Sequence, residues 1–377
     1  MTAVENLSIY RSRQAKLSTH QQTNQFDAVI LNPGASLFYL TGVHFHAWER
    51  PVVAIFTPDK PLAFILPMLE VGKITGLPYP AQGFPYGEDP ETWPDVFREA
   101  CLASGLKDNS KVGIEPLLLR VFEYRYLQGA LPQAQFLSAQ ETIAKLRLYK
   151  DGNEIAAMRN AIDVAQKALE ATLLQTEIGM SERQIAAELT VQLFRNGCDP
   201  QLPFEPIVAS GPNSANPHAV PTDRPLEKGD LLIIDWGARV DGYISDLTRT
   251  FAISELSPDW TRLGEIVEQA NVAGRASARP GVSAGEVDRV TRAVIDDASY
   301  GQFFIHRTGH GIGLEAHEEP YIRDGNPLPL EEGMSFTIEP GIYLPGKGGI
   351  RIEDNLVINA EGAETLSSLE RSIRVLG

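Results

Sequence analysis

Residues 306 to 320, HRTGHGIGLEAHEEP, hold three of the seven histidines of the chain, with glycines at 309, 311 and 313. His306 and His310 are four residues apart, a spacing that builds a zinc site on a helix when glutamate follows the first histidine. Arg307 follows it here, and each glycine would cost a helix about 1 kcal/mol relative to alanine. We therefore expect an extended segment, and ligands for any metal must come from elsewhere in the chain.

A second stretch, IIDWGARVDGYISDLTRT, carries aspartates in an apolar setting. Asp235 ends an apolar run, Asp241-Gly242 is a turn signal, and Asp246 lies on the returning strand, so Asp235 and Asp246 are expected to face one another across a hairpin. A carboxylate in such surroundings needs a positive partner, which could be Arg239, Arg249 or a cation. The alternative is a hairpin whose aspartates serve only turns and salt bridges.

Two glutamates in the last third of the chain favour a bound cation as the positive partner of these aspartates. Glu339 stands between an apolar strand and a Pro-Gly turn in FTIEPGIYL, and Glu353 lies beside Arg351 in the alternating strand GIRIEDNLVI. Four carboxylates and at least one histidine suit a pair of divalent ions such as Mn or Co better than a thiolate zinc site. Spacing alone does not assemble these residues, because they are scattered over the second half of the chain.

The elements that must position these residues fall into two regions. Residues 1 to 143 are predicted to form a small α/β domain. Its helices are expected near 6 to 22 and at about 94 to 104 and 117 to 129, and its buried strands at 26 to 32, 52 to 58 and 62 to 67. A Pro- and Gly-rich loop is expected at 75 to 94. Residues 144 to 377 read as an α+β domain. Its helices are predicted at 153 to 174, 181 to 197, 258 to 277 and 283 to 299, and its strands at 204 to 210, 230 to 240, 242 to 253, 333 to 344 and 349 to 358.

Composition limits the class of protein. The 377 residues contain no run near the roughly 18 apolar residues that span a bilayer, and the N-terminus lacks the apolar region of a secretory signal. A cytoplasmic protein with no membrane partner is expected. Cys101 and Cys198 follow no recognisable pattern, so neither a disulfide framework nor a zinc cluster is predicted. The formal charge of -16 would repel a phosphate backbone, which argues against nucleic acid.

Four segments, taken in order, resemble a known family: NSANPHA, IIDWGARVDGYISDLTRTF, FIHRTGHGIGLEAHEEPYI and FTIEPGIYLPGKGGIRIEDN. They are similar to the M24-type metallopeptidases, which include Xaa-Pro aminopeptidases, Xaa-Pro dipeptidases (prolidases) and methionine aminopeptidases. The resemblance is closest to the proline-specific branch, and it implies a pita-bread catalytic domain preceded by a smaller α/β N-terminal domain. It also implies two divalent ions, Mn or Co, with Zn or Fe as alternatives. The implied ligands are Asp235, Asp246, His310, Glu339 and Glu353, with Asp246 and Glu353 bridging the ions.

The resemblance implies an activity and roles for further residues. The expected enzyme is an exopeptidase that uses a hydroxide held between two metal ions to hydrolyse the Xaa-Pro bond at the N-terminus of short peptides with proline in second position. Glu339 would also move the proton toward the leaving nitrogen, and His317 would donate a hydrogen bond to the reacting carbonyl. His218 would flank the same pocket. His306 would line its proline side or only pack, and Arg351 would orient a bridging carboxylate.

Several alternatives stay open at this point. Arg307 stands where many relatives have glycine, which could change the pocket rim. In YLTGVHFHAWERP, one of His44, His46, Trp48 or Arg50 could reach the active site of the partner subunit in a homodimer, or these residues could pack between domains. The residues do not decide between aminopeptidase and dipeptidase. A creatinase- or ectoine-hydrolase-like amidohydrolase and a non-enzymatic binding protein on the same fold are the rival functions, and the intact ligand set disfavours the second.

Overall fold

The computed structural model describes the backbone of residues 3 to 377 and the side chains from Ile9 onward. The chain divides into two compact units, Met1–Arg147 and Leu148–Gly377. No helix in the described part of the chain has both the length and the apolar character needed to cross a membrane.

The first unit is built on a mixed six-stranded sheet in the order β4-β3-β2-β1-β5-β6. Its strands are β1 (Ala28–Leu31), β2 (Val53–Phe56), β3 (Leu62–Pro67), β4 (Ala81–Tyr86), β5 (Lys111–Ile114) and β6 (Gln135–Ser138). Its helices are α1 (Ala3–Thr23), α2 (Ala35–Thr41), α3 (Trp93–Ala103), α4 (Val121–Ala130) and α5 (Gln140–Arg147). Apolar residues of α3 and α4, such as Phe97 and Leu127, pack on the central strands, as expected for an α/β domain.

The prediction of a continuous loop over residues 75 to 94 was wrong, because β4 lies inside it. β4 pairs in parallel with β3 from Leu62↔Ala81 to Pro67↔Tyr86 and forms one edge of the sheet. An edge strand has one side without a neighbouring strand and therefore tolerates a proline, here Pro85. The many Pro and Gly residues predict a loop, but pairing with β3 makes part of this segment a strand.

Four long helices of the second unit form where the apolar spacing predicts them: α6 (Gly152–Leu173), α7 (Glu182–Arg195), α8 (Pro258–Ser277) and α9 (Ala284–Asp297). Ser181 is the N-cap of α7, and its side chain accepts a hydrogen bond from the backbone N–H of Gln184. Gly197 follows this helix with φ of 104°, a conformation that favours glycine.

A mixed sheet and an antiparallel sheet make up most of the rest of the second unit. The first has the order β19-β11-β8-β7 and the second the order β13-β12-β14-β17-β18, and two short hairpins, β9–β10 and β15–β16, accompany them. The strands are β7 (Ile207–Ser210), β8 (Leu231–Trp236), β9 (Arg239–Val240), β10 (Tyr243–Ile244), β11 (Leu247–Ile253), β12 (Gly309–Gly311), β13 (Glu318–Ile322), β14 (Ser335–Ile338), β15 (Gly341–Leu344), β16 (Gly348–Arg351), β17 (Asp354–Ile358), β18 (Ala363–Thr365) and β19 (Arg374–Leu376).

Helices cover both sheets. Ile162 of α6 and Leu189 of α7 belong to the same apolar core as Ile234 of β8. Val287 of α9 packs in a second core with Phe336 of β14. An isolated bridge between Thr248 and Glu353 joins the two sheets, so the chain segments that carry the predicted ligands meet where the sheets meet.

Candidate active site

The two aspartates come from the first sheet. Asp235 lies on β8, and Asp246 directly precedes β11. The predicted turn is present, because Asp241 and Gly242 both have positive φ, 52° and 83°. The two aspartates line the same cavity but are not directly opposite one another, because Asp235 lies opposite Thr248, two residues beyond Asp246.

The remaining three residues come from the second sheet. His310 is the central residue of β12, which has β13 and β14 as neighbours. Glu339 follows β14, and its N–H donates to the carbonyl of Thr308 at 2.8 Å. Glu353 lies between β16 and β17, and its N–H donates to the carbonyl of Thr248 at 3.1 Å. Backbone hydrogen bonds therefore fix both glutamates beside the strands that carry the other ligands.

The glycines on either side of His310 allow this close approach. A Cβ on Gly309 would lie 1.9 Å from the carbonyl oxygen of Thr337, and one on Gly311 would lie 2.2 Å from that of Glu319. No side chain fits at these distances, so glycine is required at both positions. The segment is extended rather than helical, as its sequence predicts.

The five side chains converge closely. His310 Nε2 lies 3.7 Å from Asp246 Oδ2 and 3.5 Å from Glu339 Oε1. Asp246, His310 and Glu353 each offer one ligand atom, and these atoms all lie within 4.8 Å of one another. Asp235 Oδ1 and Glu353 Oε1 are buried and have no hydrogen-bond partner among the described residues. Such oxygens cost free energy when buried unless a cation or another donor compensates them.

Burial governs the protonation of these groups. It raises the pKa of Asp235, and for Asp246 and Glu353 burial and then the neighbouring carboxylates hold the pKa well above its ordinary value. Burial also raises the pKa of Glu339 to about 7 and holds that of His310 well below its usual range. Bound cations would lower the pKa of these carboxylates and so favour their ionised form. The neutral imidazole is already in the form that binds a metal.

The orientation of the His310 ring also fits metal binding. Its Nδ1 lies 3.2 Å from the carbonyl oxygen of Gly311, so Nδ1 carries the proton and donates to this acceptor. The lone pair of Nε2 then faces Asp246 and Glu339. A backbone acceptor that fixes the tautomer in this way is typical of metal-binding histidines. The donor set, the two oxygens without hydrogen-bond partners and the neutral imidazole together fit divalent metal ions.

Arg351 supplies the positive charge beside this cluster. Its Nη2 donates to Asp235 Oδ2 at 2.6 Å, and its Nε donates to Thr248 Oγ1 at 3.1 Å. Thr248 in turn donates to Glu353 Oε2 at 2.8 Å. We expected Arg351 to orient a bridging carboxylate, but its direct contact is with Asp235 and it reaches Glu353 only through Thr248.

Arg239 and Arg249, the candidate protein partners of the aspartates, bond to other groups. Arg249 Nη2 donates to Asp354 Oδ1 at 2.8 Å, and the guanidinium of Arg239 donates to backbone carbonyls, including that of Gln201. Both arginines are close to Asp235 in sequence, but β-sheet pairing brings the distant Arg351 to it instead.

Tyr343 is a site residue that the sequence did not reveal. Its hydroxyl accepts from Arg351 Nη1 at 2.8 Å and lies 2.9 Å from His306 Nε2, while His306 Nδ1 lies 2.7 Å from the carbonyl of Arg307. Burial raises the pKa of Tyr343 to about 12 and lowers that of His306 to about 3. His306 is therefore neutral, donates through Nδ1 and accepts through Nε2. The only available signal was that Tyr343 follows Glu339 by four residues across a Pro-Gly turn.

One cavity of about 630 Å³ collects these groups. All nine predicted site residues line it: His218, Asp235, Asp246, His306, His310, His317, Glu339, Arg351 and Glu353. Its volume is within the range of small-molecule sites. The rings of His310 and His317 are in edge contact, with centroids 4.2 Å apart, and Arg307 and Phe204 also line the cavity.

The four candidates from the first unit have contacts of their own. His44 stacks on Phe38 with ring centroids 3.9 Å apart, and His46 stacks on Trp48 at 4.9 Å. Arg50 pairs with Glu88 at 3.0 Å. A role for these residues at the active site of a partner subunit stays a prediction.

Comparison with known proteins decides the family. Residues 156–360 match Metallopeptidase family M24, and residues 13–149 match the Creatinase/Prolidase N-terminal domain. The chain belongs to metallopeptidase family M24. The predicted family, the pita-bread fold class and the expectation of a peptidase are thereby confirmed.

Similar M24 proteins extend over nearly the whole chain. The Xaa-Pro dipeptidase of Lactobacillus helveticus is 35% identical over 357 residues, which cover 94% of this chain and 96% of that protein. The solved prolidase of Thermococcus sibiricus is 33% identical with a TM-score of 0.92, over 97% of this chain and 99% of that one. The X-Pro aminopeptidase of Thermotoga maritima is 31% identical with a TM-score of 0.84, over 96% and 99% of the two chains.

Proposed function

We propose that this M24 protein is a metal-dependent exopeptidase that hydrolyses the Xaa-Pro bond at the N-terminus of short peptides. The observation that carries the proposal is the convergence of four carboxylates, three of them buried, and one neutral imidazole on a single cavity, with two carboxylate oxygens that have no hydrogen-bond partner among the described residues. Similarity to Xaa-Pro dipeptidases and prolidases over nearly the full chain supports the substrate class.

Two divalent cations would be held by Asp235, Asp246, His310, Glu339 and Glu353. When bound, they supply the Lewis acidity that lowers the pKa of a water molecule and polarises a carbonyl. The four carboxylates, among them Asp246 and Glu353, would balance the charge of two such ions. The ligands are mainly oxygen, which favours Mn or Co, with Zn or Fe as alternatives.

Glu339 is our candidate for moving the proton. Its side chain is 15% exposed to the cavity, against 8% for Asp246, so substrate and water reach it more readily. Its second oxygen lies 4.0 Å from His306 Nδ1. A carboxylate in this position can accept a proton from the attacking water and deliver it to the leaving proline nitrogen.

The histidines would have separate roles. His317 lies in edge contact with His310 and lines the cavity, and we assign it the hydrogen bond to the carbonyl oxygen that becomes negative during attack. His218 would flank the same group. Both ring nitrogens of His306 are engaged by Tyr343 and by the backbone, so His306 would shape the proline side of the pocket rather than carry protons.

A substrate panel tests the activity. Protein stripped with a chelator and reloaded with Mn or Co should hydrolyse Ala-Pro or Ala-Pro-Ala and leave Ala-Ala, creatine and an acetylated diamino acid largely intact. Asp246→Asn should abolish the activity and lower the metal content. Activity in the chelated protein, or full activity in Asp246→Asn, would contradict the proposal, and a preference for creatine or the acetylated diamino acid would favour the rival amidohydrolase.

We further propose that residues 1 to 143 form an N-terminal domain and residues 144 to 377 the catalytic domain of a cytoplasmic homodimer. The separate matches of residues 13–149 and 156–360 to two family descriptions support the division of roles. Sedimentation should give twice the chain mass. If a loop of the partner subunit limits peptide length, His46→Ala should change the ratio of Ala-Pro to Ala-Pro-Ala hydrolysis, and unchanged ratios would exclude that role.

A further inference from the structure

His218 reaches the cavity on a loop rather than on a strand. β7 ends at Ser210, and residues 211 to 221, which we call the His218 loop, contain a short 3-10 helix but no strand. His218 is exposed and lines the cavity. Its backbone N–H donates to Asn216 Oδ1 at 3.1 Å, and among the residues whose side chains are described no hydrogen bond from its imidazole ring is found. The place of this ring therefore depends on how the loop backbone is held.

Both ends of the His218 loop meet at one carboxylate, that of Glu182. At the first end, Glu182 Oε1 accepts from the N–H of Ser210 at 2.6 Å and from its hydroxyl at 2.9 Å. At the other end, Glu182 Oε2 accepts from the N–H of Thr222 at 2.9 Å and from its hydroxyl at 2.6 Å. The side-chain amide nitrogen of Asn213 lies 3.1 Å from both oxygens. One side chain thus ties together the start and the end of the loop.

The position of Glu182 is itself fixed by helix α7. Glu182 is the first residue of this helix, directly after the N-cap Ser181, and it is fully buried. The positive end of the helix dipole favours a carboxylate there. Leu189 of the same helix belongs to the apolar core that includes Ile234 of β8. Hydrogen bonds to a charged acceptor are stronger than those between neutral groups, so the packed helix holds the loop through this carboxylate.

The middle of the His218 loop contacts the strand that carries Arg351. The N–H of Gly349 on β16 donates to Ser214 Oγ at 2.9 Å, and Arg351 Nη1 donates to the carbonyl of Pro217 at 3.3 Å. A Cβ on Gly349 would lie 2.2 Å from the carbonyl oxygen of Ser214, so the loop and the strand are in direct backbone contact. His218 follows Pro217, and a shift of the loop ends therefore moves His218 relative to the candidate metal ligands.

We propose that Glu182 is a positioning residue for His218 and acts from outside the cavity by fixing both ends of the His218 loop. This inference rests on the proposed function, because it assumes that His218 flanks the reacting carbonyl. Glu182 is not among the residues that line the cavity. In Glu182→Gln, one carboxylate oxygen becomes an NH2 group that cannot accept hydrogen bonds. The donors of Ser210 or those of Thr222 then lose their acceptor, and one end of the loop is released.

The kinetics of Xaa-Pro hydrolysis by Mn-loaded protein test the inference. Glu182→Gln should lower kcat by about tenfold to a hundredfold, the cost of a misplaced group at a reacting centre, with KM and bound metal nearly unchanged. In a His218→Ala background, Glu182→Gln should lower kcat by less than about twofold further, because the two residues act as one unit. Glu182→Asp keeps the charge and should restore part of kcat. Thr222→Val removes one hydroxyl of the same tie, should lower kcat by roughly threefold to tenfold, and carries the test if Glu182→Gln does not fold.

A matched control and the double variant separate the outcomes. Thr190→Val removes a half-buried hydroxyl of α7 that donates to the carbonyl of Ala186 at 2.9 Å and should leave kcat unchanged. The inference would be overturned by an unchanged kcat in Glu182→Gln and Thr222→Val, by losses that multiply with that of His218→Ala, or by a loss of bound metal that matches the loss of kcat. Full activity in His218→Ala would overturn it while the peptidase activity stands. If wild-type protein loaded with metal hydrolyses no Xaa-Pro bond, the proposed function itself fails and this inference fails with it.

Discussion

The buried carboxylates make the stability of the metal-free protein depend on pH in a defined direction. Burial raises the pKa of Glu339 from 4.5 to about 7. A raised pKa means that the folded state holds this proton more tightly than the unfolded chain does. The stability that Glu339 contributes is therefore fully present below about pH 4.5, the unfolded pKa, and is lost as the pH rises through the folded value near 7. Asp235, Asp246 and Glu353 have raised pKa values and act in the same direction.

Glu339→Gln isolates this effect, because the amide has nearly the same shape and does not titrate. Between pH 5 and pH 8 the free energy of unfolding of the wild type should fall by about 2 to 3 kcal/mol relative to the variant, since one pKa unit is worth about 1.4 kcal/mol. For a unit of this size, about 1 kcal/mol corresponds to about 2 to 4 °C in Tm. The difference in Tm between the two proteins should therefore change by roughly 5 to 10 °C.

The measurement is differential scanning calorimetry in chelator at pH 5, 6, 7 and 8. Referring the wild type to Glu339→Gln cancels the opposite pH dependence of the buried histidines. Glu361→Gln, at an exposed position, serves as the matched control and should keep a constant difference from the wild type. A difference between the wild type and Glu339→Gln that stays constant from pH 5 to 8 would refute the reasoning.

Added metal should restore the stability that the metal-free protein loses as the pH rises. Bound cations favour the ionised carboxylates, so affinity rises as the protons leave. At a free metal concentration 100 times Kd, binding adds about 2.7 kcal/mol of stability. The Tm gained on adding Mn should therefore be larger at pH 8 than at pH 5, in the direction opposite to the trend of the metal-free protein.

Three further changes probe the support around the site. Lys150→Met removes the ammonium that lies 2.6 Å from buried Glu318. Urea unfolding should show a loss of about 3 to 5 kcal/mol in the free energy of unfolding, which the double variant Lys150→Met/Glu318→Leu should largely restore. Equal losses in the single and double variants would contradict a buried ion pair. Gly311→Ala forces β12 away from the backbone beside it and should lower the bound metal measured by mass spectrometry, whereas full metal occupancy would contradict the close approach. Arg351→Met removes the hydrogen bond to Asp235 and should weaken Mn binding about 10- to 100-fold in calorimetric titration, while unchanged affinity would count against a positioning role.

The sequence predicted the elements that carry the site better than the contacts between them. Apolar spacing and capping residues placed the long helices, because these signals are local. The strand before Asp235 was also predicted from its apolar run. The hydrogen-bond partner of that aspartate was not, because Arg351 lies 116 residues away. Arg239 and Arg249 are near in sequence but bond elsewhere, since strand direction and register decide where a side chain points.

The same limit explains the residues that sequence reasoning missed. Tyr343 enters the site because β15 pairs with β16, with Gly341 opposite Arg351. Thr248 links Arg351 to Glu353 through the bridge that joins the two sheets. Neither residue belongs to a type that predicts metal chemistry. Only the fold gives them a role.

The two arginines in the cavity have different surroundings. Arg351 is buried and bonded to protein groups, so its charge offsets Asp235 and holds that carboxylate in place. Arg307 is half-buried on the face of the Tyr321 ring, so its charge is available to a ligand. A lysine at position 351 keeps the charge and loses the planar fork that bonds Asp235, Tyr343 and Thr248 together. Arg351→Lys should therefore weaken Mn binding, and an affinity equal to that of the wild type would show that the charge alone is sufficient at this position.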